Sequence, residues 1–255
     1  MSSHGQFIWY DLLTPDADAS KRFYSHVVGW GTQPSPGPEP YTMWESKGAP
    51  LGGIWPLQKE MGDSPRWLPY VSVDDVDETI AKAKQLGGRI TAGPKDIGGG
   101  GRYALIEDPQ GTSLAVYRSG HSPQTPPFNP QVGQFSWHEL ATTDATKAFD
   151  FYSALFGWNK NGEMDMGEGG IYQMYGRGET MYGGMYNASP EMPAGWCCYI
   201  MVDSVPEALE RVKESGGKVL NGPMEVSGGS VVSQCVDPHG ALFALHHVPN
   251  SSAIL

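Results

Sequence analysis

The chain repeats itself. Residues 5–30, GQFIWYDLLTPDADASKRFYSHVVGW, return as residues 133–158, GQFSWHELATTDATKAFDFYSALFGW, with 13 of 26 positions identical at an offset of 128. Further echoes follow in the same order. Tyr70-Val71-Ser72-Val73-Asp74 returns as Tyr199-Ile200-Met201-Val202-Asp203, and Gly93-Pro94 as Gly222-Pro223. Asp108-Pro109-Gln110-Gly111 returns as Asp237-Pro238-His239-Gly240. Duplication constrains the fold more than any single motif: each copy must form the same structure. Residues kept in both copies are candidates for holding that structure. Residues that differ are candidates for function.

The repeat divides the 255 residues into a first domain (1–118), a Pro-rich linker (119–132), a second domain (133–248) and a tail (249–255). Four prolines should make the linker extended and fairly stiff, and the tail should be loose. Each domain is long enough to bury a core of its own. The net charge of −11 disfavours nucleic acid, which demands clustered Lys and Arg, and disfavours an anionic membrane surface. No apolar run approaches the ~18 residues of a membrane span. MSSHGQ at the start has no basic stretch ahead of an apolar core, so no secretory leader is expected. Cys197, Cys198 and Cys235 are odd in number and confined to the second domain, which does not fit a disulfide framework. A cytoplasmic protein is expected.

Within each domain the pattern reads strand–helix–strand–strand–strand. Residues 6–13 suit a buried strand, and Thr14-Pro15-Asp16 suits a turn with a helix cap. Ala19, Phe23, Val27 and Val28 supply an apolar stripe that Gly29 ends. Strands follow near 41–46 and 51–57. Asp74 or Asp75 should cap a second helix with apolar positions Val76, Ile80, Ala83 and Leu86. Strands near 89–92, 102–107 and 112–117 complete the domain, the last two joined by Asp-Pro-Gln-Gly. The glycine run 98–101 precedes no helix, so it is read as a turn and not as a phosphate cradle. Met164, Met166, Met174, Met181, Met185 and Met192 are read as irregular core filling, with an adaptable hydrophobic site as the alternative.

This pattern resembles the vicinal oxygen chelate superfamily, which holds glyoxalases, bleomycin-resistance proteins and extradiol dioxygenases. The resemblance rests on Trp9 through Asp16 to Phe23-Tyr24 and Gly29-Trp30, on Val73-Asp74-Asp75-Val76, and on Asp108-Pro109-x-Gly111, all recurring in the second copy. It spans nearly the whole chain and looks closest to the bacterial tandem, glyoxalase-like subgroup. The implied fold is α+β: two glyoxalase-like units, each of two βαβββ modules forming a cupped mixed sheet with helices on the outer face. The two units imitate a dimer within one chain, so a monomer or homodimer is expected. Modules from different units can combine in such pseudo-dimers.

The resemblance also implies a divalent metal held by His, Gln or Glu on the concave face. Counted from the shared landmarks, the ligand positions fall at Trp9, Leu68 and Ala115, and at Trp137, Cys197 and Ala244. Only Cys197 among these binds metals, and a lone thiolate does not suit a hard cation. No cofactor is therefore expected. The alternative is a metal-dependent glyoxalase-type lyase or isomerase, or a dioxygenase, with a displaced metal site at His138, Glu139 and His246.

Strand parity then suggests what lines each cup. Trp9, Asp11, Tyr70 and Tyr117 share one face in the first domain; Trp137, Glu139, Cys197, Tyr199 and His246 share it in the second. The leading expectation is a small-molecule site with an aromatic wall and one orienting carboxylate. Alternatively, Asp11 and Glu139 satisfy buried polar pairs with Tyr70 and Tyr199. Glu139 and His246 are the candidate acid–base pair. The third reading is a structural or regulatory protein whose cups are filled by their own side chains.

Overall fold

A computed structural model describes residues 3–35, 41–57, 64–120, 128–189 and 194–249. Half of the expected linker (121–127) and almost all of the tail fall outside the described residues, as does Met192.

The first copy runs β1 (Phe7–Thr14), α1 (Ala17–Val28), β2 (Gly31–Pro34), β3 (Thr42–Ser46) and β4 (Ala49–Pro56). It continues with β5 (Arg66–Ser72), α2 (Val76–Gln85), β6 (Arg89–Ile97), β7 (Gly101–Glu107) and β8 (Ser113–Arg118). The second copy repeats the order: β9 (Phe135–Thr142), α3 (Ala145–Phe156), β10 (Asn159–Asp165), β11 (Ile171–Arg177) and β12 (Thr180–Asn187). It ends with β13 (Gly195–Met201), α4 (Val205–Glu214), β14 (Lys218–Glu225), β15 (Val231–Val236) and β16 (Leu242–His247). Each copy is thus βαβββ twice over. The strands form two eight-stranded mixed sheets, ordered β2-β3-β4-β1-β5-β8-β7-β6 and β10-β11-β12-β9-β13-β16-β15-β14.

The helices start and stop where local chemistry dictates. Asp16, Asp75, Asp144 and Ser204 are the N-caps, each accepting a backbone N–H three residues on. Gly29 and Gly157 end α1 and α3 in the left-handed conformation. Val76, Ile80 and Ala83 are buried on α2 as the periodicity predicts, but Leu86 is 39% exposed. It sits one position beyond the helix, where the chain has already turned.

The contact pattern divides the chain differently from the repeat. One compact unit holds Met1–Tyr10, Leu68–Asn129 and Trp137–Cys197; the other holds Asp11–Trp67, Pro130–Ser136 and Cys198–Leu255. Each unit therefore takes a half from each copy. In the first unit the Tyr152 hydroxyl donates to Asp108 Oδ2 at 2.9 Å, and Trp158 Nε1 donates to Gly5 O at 2.7 Å. In the second unit the same roles fall to Tyr24 on Asp237 Oδ2, at 3.3 Å, and Trp30 on Gly133 O, at 2.7 Å. These are the residues that the two copies share. Each Asp carboxylate also accepts two backbone N–H groups of its own hairpin: Gln110 and Thr112 for Asp108, His239 and Ala241 for Asp237.

Aromatic rings pack around each lock. Tyr24, Trp30, Trp44, Trp67 and Phe135 cluster in the second unit, and Tyr152, Trp158, Tyr175, Trp196 and Phe7 in the first. All ten are buried. Fully burying one such ring is worth roughly 1.5–3 kcal/mol, so the two clusters are major sources of stability. The methionines do not fill the core as expected. Met185 is buried, but Met164 on the edge strand β10 and Met181 at the start of β12 lie on the surface at 46% and 45% exposure.

Candidate functional site

In the first unit, Trp137 and Glu139 lie two apart on β9 and so share a face. Glu139 Oε1 accepts the Tyr172 hydroxyl at 2.8 Å. Tyr172 in turn accepts Trp137 Nε1 at 2.7 Å. The Tyr172 ring stacks on Tyr186 of β12 with centroids 5.8 Å apart and planes 23° apart. Burial, and then the Glu139 charge, push the Tyr172 phenol well above its ordinary range, so it stays a neutral donor. Tyr172 is buried, whereas Trp137, Glu139 and Tyr186 are half-buried. The result is a fixed indole–phenol–carboxylate chain on an aromatic wall.

Glycine makes this chain possible. Gly184 of β12 stands beside Glu139 in the parallel β9–β12 register. A Cβ there would lie 2.0 Å from Tyr172 Cζ. The tyrosine thus crosses the strand over a bare backbone to reach the acid.

The second unit carries the counterpart around Asp11. Its Oδ1 accepts the Tyr41 hydroxyl at 2.6 Å and its Oδ2 accepts Trp55 Nε1 at 3.0 Å. Tyr41 and Trp55 pack together with centroids 5.0 Å apart, over Gly53. Asp11 is only 2% exposed. With both oxygens engaged and the carboxylate buried, this copy is a closed polar knot.

Sequence reasoning found the two acids but missed Tyr41, Trp55, Tyr172 and Tyr186. The signal was present: Tyr41-Thr42-Met43-Trp44 matches Tyr172-Gln173-Met174-Tyr175, and Gly52-Gly53-Ile54-Trp55 matches Gly183-Gly184-Met185-Tyr186, at an offset of 131.

The other predicted residues have definite places. Tyr70 on β5 and Tyr117 on β8 are half-buried in the first unit, and both neighbour Tyr103 of β7. Trp9 is half-buried on β1, and Cys197 is buried on β13. Tyr199 and His246 lie in the second unit with ring centroids 6.4 Å apart, edge to face. Ser136 Oγ is 2.9 Å from His246 Nδ1 and also reaches Tyr199 O at 3.3 Å. Glu139 belongs to the first unit and His246 to the second.

His138 is fully buried on β9, on the face opposite Glu139. Its Nδ1 is 2.8 Å from Tyr182 O, which can only accept, so Nδ1 carries the proton. Its Nε2, 2.6 Å away, then accepts the Tyr10 hydroxyl. Both nitrogens are committed, and adjacent strand residues cannot aim at one ion. His138 therefore does not fit the displaced metal set with Glu139.

Burial holds His138 down to about 3, and burial with the neighbouring His247 holds His246 down to about 4. Unfolded histidine protonates near 6.5. The folded chain thus binds fewer protons than the unfolded chain between those values. Their contribution to stability is complete at neutral pH and is lost as pH falls through that window, at about 1.4 kcal/mol per pH unit per group. The urea midpoint should therefore drop clearly between about pH 7 and about pH 4.5. His138→Gln should show a shallower decline; the same pH slope in that variant would contradict this assignment.

Both copies match the model of the Glyoxalase/Bleomycin resistance protein/Dioxygenase superfamily, over residues 6–116 and 134–245. The chain belongs to this superfamily. A Mycobacterium tuberculosis protein named "Putative glyoxylase CFP32" is 30% identical over 243 residues, covering 93% of this chain and 92% of that one. The anthracycline biosynthesis protein DnrV of Streptomyces peucetius is 28% identical over 255 residues, covering 93% and 91%. Among solved structures, the Mn(II)-bound glyoxalase from Novosphingobium aromaticivorans superposes with a TM-score of 0.66 at 17% identity, covering 97% of this chain and 83% of that one. Homoprotocatechuate 2,3-dioxygenase from Arthrobacter globiformis superposes at 0.69 with 14% identity, covering 96% and 80%. At these identities the structural likeness is one of fold.

The residues at the positions where this family resemblance places metal ligands do not fit a divalent cation. Leu68, Ala115 and Ala244 are buried alkyl groups, Trp9 and Trp137 are indoles, and Cys197 is a buried thiol. Among the described residues no three His, Cys, Asp or Glu side chains are grouped to hold a metal ion. No helix among them is long and apolar enough to cross a membrane.

Proposed function

We propose that the protein binds a small molecule with a flat, hydrogen-bonding ring system against the Trp137–Glu139–Tyr172–Tyr186 wall, without a divalent metal. The observation that carries this reading is the difference between the copies. Asp11 is buried with its two oxygens on Tyr41 and Trp55, whereas Glu139 is only half-buried and accepts the Tyr172 hydroxyl beside two stacked rings. Glu139 then orients a hydroxyl or cationic group while the aromatic faces supply contact area. The name of the anthracycline biosynthesis relative is consistent with a ring-shaped ligand. Three free cysteines suit a reducing, cytoplasmic setting.

A thermal-shift screen of aromatic metabolites and antibiotics tests the binding reading. A true ligand at a hundredfold its Kd adds about 2.7 kcal/mol, or roughly 5–10 °C for a chain of this size. Trp137→Ala and Glu139→Ala should each abolish that shift, and Asp11→Asn should leave the affinity unchanged. Undiminished affinity in both second-copy variants would rule the wall out.

A further inference from the structure

The second compact unit carries a polar cluster that neither the Glu139 wall nor the fold accounts for. Ser136, Gln234 and His246 occupy positions that hold Ile8, Leu105 and Tyr117 in the first copy. The ladders fix this equivalence: Gln234 and Leu105 pair with Ala244 and Ala115, and His246 and Tyr117 pair with Val232 and Tyr103. The frame around them is unchanged, since Tyr199 pairs with Ala244 as Tyr70 pairs with Ala115. The first copy shows that mainly apolar side chains fill this place in the same fold. The second copy instead buries Ser136 and Gln234, at 5% and 7% exposure. Buried polar groups are costly unless they serve a partner.

Their hydrogen bonds define a direction. Gln234 Nε2 donates to the Tyr199 hydroxyl at 3.3 Å. Ser136 has a single hydroxyl proton and two neighbours, Tyr199 O and His246 Nδ1. The carbonyl can only accept, so the serine proton goes there, and Nδ1 must be the protonated nitrogen that donates to Ser136 Oγ. That leaves a lone pair on Nε2. Among the described residues Nε2 has no hydrogen-bond partner, and the ring is only half-buried. We infer that Ser136 presets the His246 imidazole so that Nε2 is the acceptor for an O–H or N–H group of a bound ligand. Ser136 is then a positioning residue and His246 the contact. A ligand that presents only an anion or only hydrocarbon at this point finds no match, because a neutral imidazole with a bare Nε2 offers neither a charge nor a donor there.

The first arm of the test is a long-range 1H–15N spectrum of protein labelled at histidine, recorded near neutral pH. His246 should show protonated Nδ1 and bare Nε2. In Ser136→Ala the signals should move to an average of two tautomers, and Ser136→Thr should restore the wild-type pattern. A protonated Nε2 in the wild type overturns the inference, and this is read without any variant having to fold. An unchanged tautomer in a folded Ser136→Ala overturns the role of Ser136. In the second arm, p-cresol should shift the Nε2 resonance, while 4-methylanisole, its methyl ether, which lacks the donor, should not. Equal shifts, or none with either, overturn the ligand class. The readout is a nitrogen of His246 itself, so failure here leaves the Trp137–Glu139 reading standing, and the converse also holds.

Discussion

Asp237→Ala should destabilise the protein by about 3–5 kcal/mol, and Asp108→Ala by a similar amount. Asp237 is 2% exposed and serves three donors: the Tyr24 hydroxyl and the backbone N–H groups of His239 and Ala241. Asp108, 3% exposed, serves the Tyr152 hydroxyl and the N–H groups of Gln110 and Thr112. Alanine strands all three donors, two of them fully buried, and each buried donor costs about 1–3 kcal/mol when unsatisfied. The Tm should fall by roughly 10 °C or more. Tyr24→Phe removes one bond and should cost less than Asp237→Ala. Chemical denaturation of the three single variants checks this. An Asp237→Ala protein as stable as the wild type would show that the repeated Asp-Pro-x-Gly hairpin is not a lock.

Gly184→Ala should cost about 1–3 kcal/mol and abolish ligand binding together. The new methyl group would lie 2.0 Å from Tyr172 Cζ. The ring must swing away, which breaks its bond to Glu139 and its stack on Tyr186. The double variant Tyr172→Ala/Gly184→Ala separates the two effects. With the ring gone the methyl group is tolerated, so stability should match that of Tyr172→Ala alone, while binding stays lost. Fully additive destabilisation would mean that Tyr172 does not lie over Gly184.

The helices, their caps and most strands were legible because both copies spell them, but β2 and its counterpart β10, which follow α1 and α3, were not read from the sequence. Asp16, Asp75, Asp144 and Ser204 cap their helices as local chemistry demands. The acids of the site were legible from strand parity on β1 and β9. Their partners were not, because they come from the following hairpins. The helices α1 and α3 match at an offset of 128, but Tyr41 and Tyr172, and Trp55 and Tyr186, match at 131. The connection after α3 is three residues longer than the one after α1, which breaks a register read from the helices. Tyr70 and Tyr199 were the expected donors to the acids; Tyr41, Trp55 and Tyr172 are the donors found. The exchange of halves between compact units was also hidden. A repeat records which residues are kept, and not which copy they touch. Tyr24 on Asp237 and Tyr152 on Asp108 are identical in sequence terms to Tyr24 on Asp108. The methionines misled for a different reason: flexible thioethers are as compatible with an exposed outer strand as with a core.

The central claim is that Glu139 serves the Tyr172 phenol, which in turn accepts the Trp137 indole, in a fold whose family resemblance calls for an ion. Metal analysis of protein purified without any chelator tests it most directly, paired with thermal melting before and after treatment with EDTA. The account predicts no stoichiometric divalent metal, an unchanged melting temperature, and ligand-induced stabilisation that survives the treatment. One equivalent of bound manganese, iron, nickel or zinc per chain, with binding or stability lost on its removal, would contradict it.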